Sequence, residues 1–334
     1  MQRASQKSAE PFRGRNVLIT GGLGFLGSNL ARRLVDAGAK ITLVDNLMPE
    51  HGGNRFNVDG IEPRLQISIS DVRDSEGMER LVTGQDYLFN LVGQSSHLDS
   101  MLDPCTDLEV NTRAQLVILE ACRRRNPAIK IVFAGTRQVY GRPDYLPVDE
   151  RHAVRPVDVN GINKLAGESY HILYNNVHGI RACALRLTNA YGPRMRVKDA
   201  RQTFLGLWIR LLVEGKRFEV WGGEQWRDFT YVDDVLEALL LAAGSEASCG
   251  RIYNVAGDRA LTLAEVAELA VVANGGGAYS VCPFPEERKR IDIGDYYADG
   301  ALIRAELGWT PRVSLEQGLE QTLRYYRDHL AKYV

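Results

Sequence analysis

The chain of 334 residues has few cysteines, almost no net charge and no long apolar run. Its five cysteines, Cys105, Cys122, Cys183, Cys249 and Cys282, are scattered and form no C-x-x-C pair. That excludes a disulfide framework and zinc-site spacing, and it fits reduced cytosolic thiols. Lys and Arg number 41 against 42 Asp and Glu, a formal charge of −1. No global field is left to hold nucleic acid or an anionic membrane. No stretch approaches the roughly 20 apolar residues that span a bilayer. The polar segment from Met1 to Arg13 lacks the apolar core of a signal peptide and reads as a frayed tail. There is no internal repeat and no low-complexity segment. What is present, 45% apolar and 25% charged residues, suits a folded globular protein. At about 150 residues per domain the length predicts two domains. The expectation is a cytoplasmic protein with no metal, membrane or nucleic-acid partner.

Through the first half, short apolar runs alternate with helical patterns. Residues 16–20, 40–44, 87–92, 129–134 and 181–186 read as strands; a helix runs through 31–37, and 108–124 and 163–176 have helical patterns. Apolar strands alternating with helices imply an α/β fold with a parallel sheet covered on both faces. After Tyr191-Gly192-Pro193 helices predominate, at 203–214, 232–243 and 263–273. The expected architecture is a Rossmann-type doubly wound parallel sheet over 14–190. A smaller α/β substrate-binding domain follows over 191–334, with the chain free to cross between them.

The segment from Gly21 to Gly27 follows the first strand and opens the first helix, with glycines at Gly21, Gly24 and Gly27 and the helix beginning at Phe25-Leu26. Glycine lets the backbone turn sharply and approach a pyrophosphate, and the helix N-terminus offers free N–H groups. Asp45-Asn46 ends the second strand, 18 residues past Gly27. A carboxylate there accepts from ribose hydroxyls and repels a 2′-phosphate, which favours NAD over NADP. Asp71-Val72 follows a third apolar run. It fits either an adenine contact or ordinary turn chemistry.

These motifs resemble the extended short-chain dehydrogenase/reductase family, and within it the NAD-dependent sugar-nucleotide epimerases and dehydratases. The resemblance runs from about Asn16 to His329. It places Leu91-Val92-Gly93 and Thr188 beside the cofactor and Asn111 on a helix that steadies the sheet. It puts Thr136 at the catalytic Ser/Thr position and Asn189 and Arg227 on the substrate. It also implies a nucleotide-sugar substrate, UDP-linked, oxidised transiently at C4, and a homodimer through helices near 108–124 and 164–176. Arg290 is either a second diphosphate contact or a solvated charge in the 286–290 run. Ser95 and Ser96 either bind the sugar or satisfy loop backbone.

The family's catalytic pair is Tyr-x-x-x-Lys on one helix face. Here Lys164 is present, but the Tyr position holds Asn160, and none of the 14 tyrosines has a Lys four residues on. A carboxamide does not ionise near neutrality and cannot act as a general base. Three explanations stand: another group such as His97 takes the proton; the fold binds NAD and a sugar nucleotide without turnover; or Asn160 is an inactivating substitution. The acidic pair that 4,6-dehydratases carry after the catalytic Thr is replaced by Arg137-Gln138. That ranks epimerisation above dehydration.

Overall fold

The computed structural model describes residues 8–48, 51–201 and 203–334. Its twelve strands are β1 (Asn16–Thr20), β2 (Lys40–Asp45), β3 (Leu65–Ile69), β4 (Tyr87–Asn90), β5 (Lys130–Thr136), β6 (Arg181–Leu187), β7 (Asn189–Tyr191), β8 (Phe218–Trp221), β9 (Trp226–Tyr231), β10 (Ile252–Val255), β11 (Ala260–Thr262) and β12 (Tyr279–Cys282). Seven of them form one sheet in the order β10-β6-β5-β4-β1-β2-β3. All its pairings are parallel. Central strands such as Val17-Leu18-Ile19 and Ile131-Val132-Phe133 are buried on both faces, so they read as unbroken apolar runs.

Strand order reverses between β1 and β4. At such a switch point the crossover helices diverge to opposite faces and leave a crevice at the strands' C-terminal ends. Helices Phe25–Asp36 and Val232–Gly244 cover one face through Leu30, Leu34, Val235 and Leu239. Helices Ser75–Val82, Ala114–Arg125 and Val159–His178 cover the other through Met78, Val82, Ile118 and Tyr174.

Over the crevice lie a three-stranded sheet, β11-β9-β7, and a two-stranded sheet, β12-β8. Helices Phe204–Val213, Leu263–Asn274 and Leu315–His329 support them. The second of these starts on a Thr262–Glu265 capping box, which satisfies orphan N–H groups at its first turn. After 190 the chain crosses back between the layers, as the expectation left open. The chain returns at β10 to pair with β6, Ile252 beside Ala184, because β6 would otherwise present an open sheet edge.

The tail expected over 1–13 is corrected, from Ser8 onward. Ser8 Oγ donates to Glu237 Oε2 at 2.8 Å. Phe12 is fully buried, its ring 4.6 Å from Tyr87 and 5.9 Å from Phe89. A lone Phe in a polar run gives no periodic signal, yet it covers apolar surface beside β4. Residues 1–7 of that tail lie outside the described residues. Among the described residues no helix is long and apolar enough to cross a membrane. Nor, among them, does any cluster of His, Cys, Asp and Glu suit a metal ion.

Candidate active site

A continuous cavity of about 740 Å³ runs along the C-terminal ends of the sheet, from the Gly21–Gly27 turn to Arg227 and Asp292. At its cofactor end, Gly21 has φ +66°, and a Cβ there would press on Leu91 O and Val92 N at 3.1 Å. A Cβ on Gly27 would overlap the Gly21 carbonyl oxygen and lie 2.8 Å from Gly22 Cα. Turn and helix are therefore packed backbone to backbone. The helix begins with Gly24 as its cap, which has no side chain to occupy the first-turn N–H groups. Phe25, Leu26 and Gly27 line the cavity at that point, so the helix end suits a phosphate.

Asp45 lines the cavity at the end of β2. Its Oδ2 accepts from Leu23 N at 3.0 Å and its Oδ1 from Leu47 N at 2.9 Å. Burial raises its pKa against those two bonds. Asp71 is held down to about 2, chiefly by Arg73, whose guanidinium donates at 2.9 and 2.7 Å and whose backbone N–H donates at 2.9 Å; Asn46 Nδ2 adds a fourth bond at 3.0 Å. Asn46, Asp71, Val72, Leu91, Val92 and Gly93 all line the same end.

Thr136, at the end of β5, faces the middle of the cavity, and its Oγ1 caps the following turn by accepting from Gln138 N at 3.2 Å. Lys164 is buried here, and desolvation pushes its ammonium down to about 8 while Asp107 opposes the shift. Its Nζ lies 3.5 Å from Ala134 O. A Cβ on Gly93 would overlap that Nζ and sit 2.8 Å from Asn111 Oδ1. Asn111 itself stands behind the cavity wall rather than lining it. It donates to Gln94 O at 3.0 Å, and its Oδ1 is buried without a partner.

Asn160 lines the cavity but is committed to the protein. Its Nδ2 donates to Gln94 O at 2.8 Å and to Asp107 Oδ2 at 3.0 Å. Asn163 Nδ2 donates to Asp107 Oδ1 at 2.8 Å. The two asparagines thus bracket one fully buried carboxylate. The spacing gave no sign of Asp107, which comes from a different helix.

His97 also lines the cavity, with 37% of its side chain exposed. Its Nδ1 lies 2.9 Å from Oδ2 of the buried Asp158. Asp158 further accepts from Gln138 Nε2 at 2.8 Å and from Gly161 N at 2.6 Å, capping the Val159–His178 helix. Burial acts to raise the Asp158 pKa, but His97 and the two donors outweigh it and hold it below the usual value. The carboxylate is near enough to attract a charged imidazole, although the Nδ1 atom makes no aligned hydrogen bond. The carboxylate's only sequence signal was that of a helix cap.

At the far end, Asn189 Oδ1 accepts from Arg137 at 2.8 Å and its Nδ2 donates to Asp228 O at 2.9 Å. Thr188 shares a hydroxyl bond with Thr230 at 3.0 Å. Arg227 donates to Trp226 O at 2.9 Å, to Gly294 O, and to Asp292 at 3.1 Å. Burial pushes Arg227 down to about 10 and Asp228 up to about 6. Ser95 lines the cavity. Ser96 does not. It is buried, and its Oγ caps helix His97–Leu102 by accepting from Asp99 N at 3.1 Å. Arg290 is exposed and does not line the cavity, so the solvated-charge alternative holds. Asp292, two residues on, reaches the site instead. Tyr140 is not a substitute base: burial pushes it up to about 12, and its hydroxyl donates to Asn254 at 2.7 Å. Trp309 and Trp208 pack in the core, and Trp208 and Trp221 also line the cavity.

Residues 17–256 match the model of the NAD dependent epimerase/dehydratase family. The chain belongs to this family. It is 30% identical over 317 residues to a putative UDP-glucose 4-epimerase of Methanocaldococcus jannaschii, covering 94% of this chain and 99% of that one. It is also 30% identical over 322 residues to a dTDP-glucose 4,6-dehydratase of Streptomyces griseus, covering 94% of each. Among solved structures, the Thermus thermophilus UDP-glucose 4-epimerase in complex with NAD superposes with a TM-score of 0.81 at 30% identity, covering 93% of this chain and 99% of that one. The chain is an NAD-dependent enzyme of the epimerase/dehydratase class. The glycine cradle and free helix end suit the pyrophosphate of NAD. The orphaned Asn111 Oδ1 beside Lys164 marks the wall where its nicotinamide half would lie.

Proposed function

We propose that the protein interconverts C4 epimers of a UDP-linked sugar. The carrying observation is the single cavity that joins the glycine cradle to Thr136, Lys164, His97, Asn189 and Arg227. NAD, held at the Gly21–Gly27 turn and Asp45, would supply reversible hydride acceptance at C4. The protein moves the proton. Thr136 Oγ hydrogen-bonds the C4 oxygen, and His97 accepts the hydroxyl proton on Nε2. Asp158, fixed by Gln138 and Gly161, stabilises the imidazolium that forms. Lys164, lining the cavity, would hold a ribose hydroxyl of the cofactor. Arg227 and Asn189 receive the diphosphate end, where a guanidinium fork suits phosphate oxygens.

Epimerisation is favoured over dehydration because no acid occupies positions 137 and 138. Gln138 is turned onto Asp158 and Arg137 onto Asn189. The reading extends to a homodimer through the helices at 108–124 and 164–176, where Leu108 and Leu173 are exposed.

The test is incubation with UDP-, GDP-, CDP- and dTDP-sugars, with and without NAD⁺, with products read by NMR. A C4 epimer is expected from a UDP-sugar. His97→Asn should lower kcat about 100-fold or more while NAD binding persists, the usual scale for losing a general base. No product from any sugar, or unchanged kcat in His97→Asn, refutes the respective part.

A further inference from the structure

Lys130 opens β5, at the end of the sheet away from the cavity, and is only 1% exposed. Its ammonium uses all three donors inside the protein: on Ser245 O at 3.0 Å, Ser248 Oγ at 2.9 Å and Cys249 Sγ at 2.9 Å. Glu246, the acid on the same turn, pairs with Arg181 at 2.9 Å instead. An N···S separation of 2.9 Å is the length usual for N–H···O, and sulfur is the larger atom, so amine and thiol are in direct contact. Cys249 is half-buried, so the same sulfur is reachable from solvent. Its S–H donates to Glu246 Oε2 at 3.6 Å.

The other four thiols lack this setting. Cys122 and Cys183 are buried, and burial pushes them up to about 12 and about 11. Cys282 Sγ has Ser280 O and Oγ at 3.9 Å, and Cys105 is exposed. Among the described residues only Cys249 has a lysine as hydrogen-bond partner. A partly exposed thiol held against a cation is the setting in which cysteines oxidise.

We propose that Cys249 and Lys130 form an oxidation site, where peroxide closes a covalent link from Sγ through one inserted oxygen to Nζ. The ammonium first gives one proton to solvent. The Sγ–H bond and one Nζ–H bond then break, and S–O and O–N bonds form. Sulfur and nitrogen each give up two electrons. Two peroxide molecules accept the four electrons and supply the bridging oxygen, leaving three waters. A direct S–N bond would require the atoms to close far inside 2.9 Å, against the bonds that hold Nζ to Ser245 and Ser248. One oxygen bonded to both spans nearly the distance already present. The link ties β5 to the turn before β10, across the intervening β6, and so holds the returning strand in the sheet.

The test treats the NAD-loaded protein with hydrogen peroxide and reads intact mass and peptide maps, for wild type, Cys249→Ser and Lys130→Arg. Wild type should gain one oxygen and lose two hydrogens, with the peptides carrying residues 130 and 249 joined. A thiol reductant should release them, and both variants should lack the linked species. The linked form should unfold at higher urea than the reduced form, because a cross-link between distant positions constrains the unfolded chain. Sulfinic acid on Cys249 without a link overturns the proposal, and so does a link that lacks the added oxygen. So does a Cys249 left unmodified at a peroxide exposure that oxidises Cys105. These three outcomes are read on wild type and need no folded variant. An equal urea midpoint overturns the hold on β10.

Discussion

Replacing Asn160 by Tyr restores the family's Tyr-x-x-x-Lys pattern, and the structure says it will not create a better enzyme. Asn160 is buried, and its amide supports Asp107 Oδ2 at 3.0 Å and Gln94 O at 2.8 Å. Gln94 O keeps its bond from Asn111, so the loss falls on Asp107. A buried acceptor stripped of its donor costs about 1–3 kcal/mol. Forcing a ring into a packed site adds about 1–3 kcal/mol. The sum, about 2–6 kcal/mol, is a large share of the roughly 5–15 kcal/mol that holds a domain together. Urea unfolding of wild type, Asn160→Tyr and Asn160→Ala measures it. Asn160→Ala should show only the first component. C4 turnover measured in parallel should not rise in Asn160→Tyr. A variant as stable as wild type and faster than it would refute the argument, because Asn160 would then be a degraded catalytic position rather than part of the Asp107 knot.

Three further outcomes follow from the same contacts. His171 is buried and pushed down to about 4, chiefly by desolvation, with Nδ1 on Gly167 O at 2.7 Å and Nε2 by Asn90 Nδ2 at 3.1 Å. Unfolded histidine takes its proton near pH 6.5, so stability is lost as pH falls from about 6.5 to about 4, on the order of 3 kcal/mol. Urea midpoints across that window should flatten in His171→Gln, and an unchanged slope would exclude this residue as the source. Gly27→Ala should weaken NAD binding and cost about 1–3 kcal/mol, because the new methyl meets the Gly21 carbonyl and Gly22 Cα, which are backbone and cannot swing aside; unaltered NAD titration would argue against the tight turn. Glu168→Gln leaves Arg186 without the carboxylate that now binds it at 2.9 and 2.6 Å, and should cost about 3–5 kcal/mol by thermal or chemical unfolding.

Residues adjacent in the chain made much of the protein legible from the sequence. The strand, glycine turn and helix at 16–36 announce themselves because phosphate binding at a helix end needs that local order. Asp45, Thr136, Lys164, Asn189 and Arg227 were singled out because each stands at a strand end or on a helix with a motif around it, and all five line one cavity. Ser96 and Arg290 stayed open between two readings for lack of that context: a Ser at a helix start is as readily a cap, and a charge in a charged run is as readily solvated. What the sequence alone determined, then, was the alternation of elements, the cofactor turn and the missing tyrosine. Tertiary structure decided what surrounds the gap. Asp158 meets His97 across 61 positions, and Asp107 meets Asn160 across 53. Such pairs have no period in the chain. They exist only because the parallel sheet brings the C-terminal ends of its strands, and the helices behind them, to one crevice.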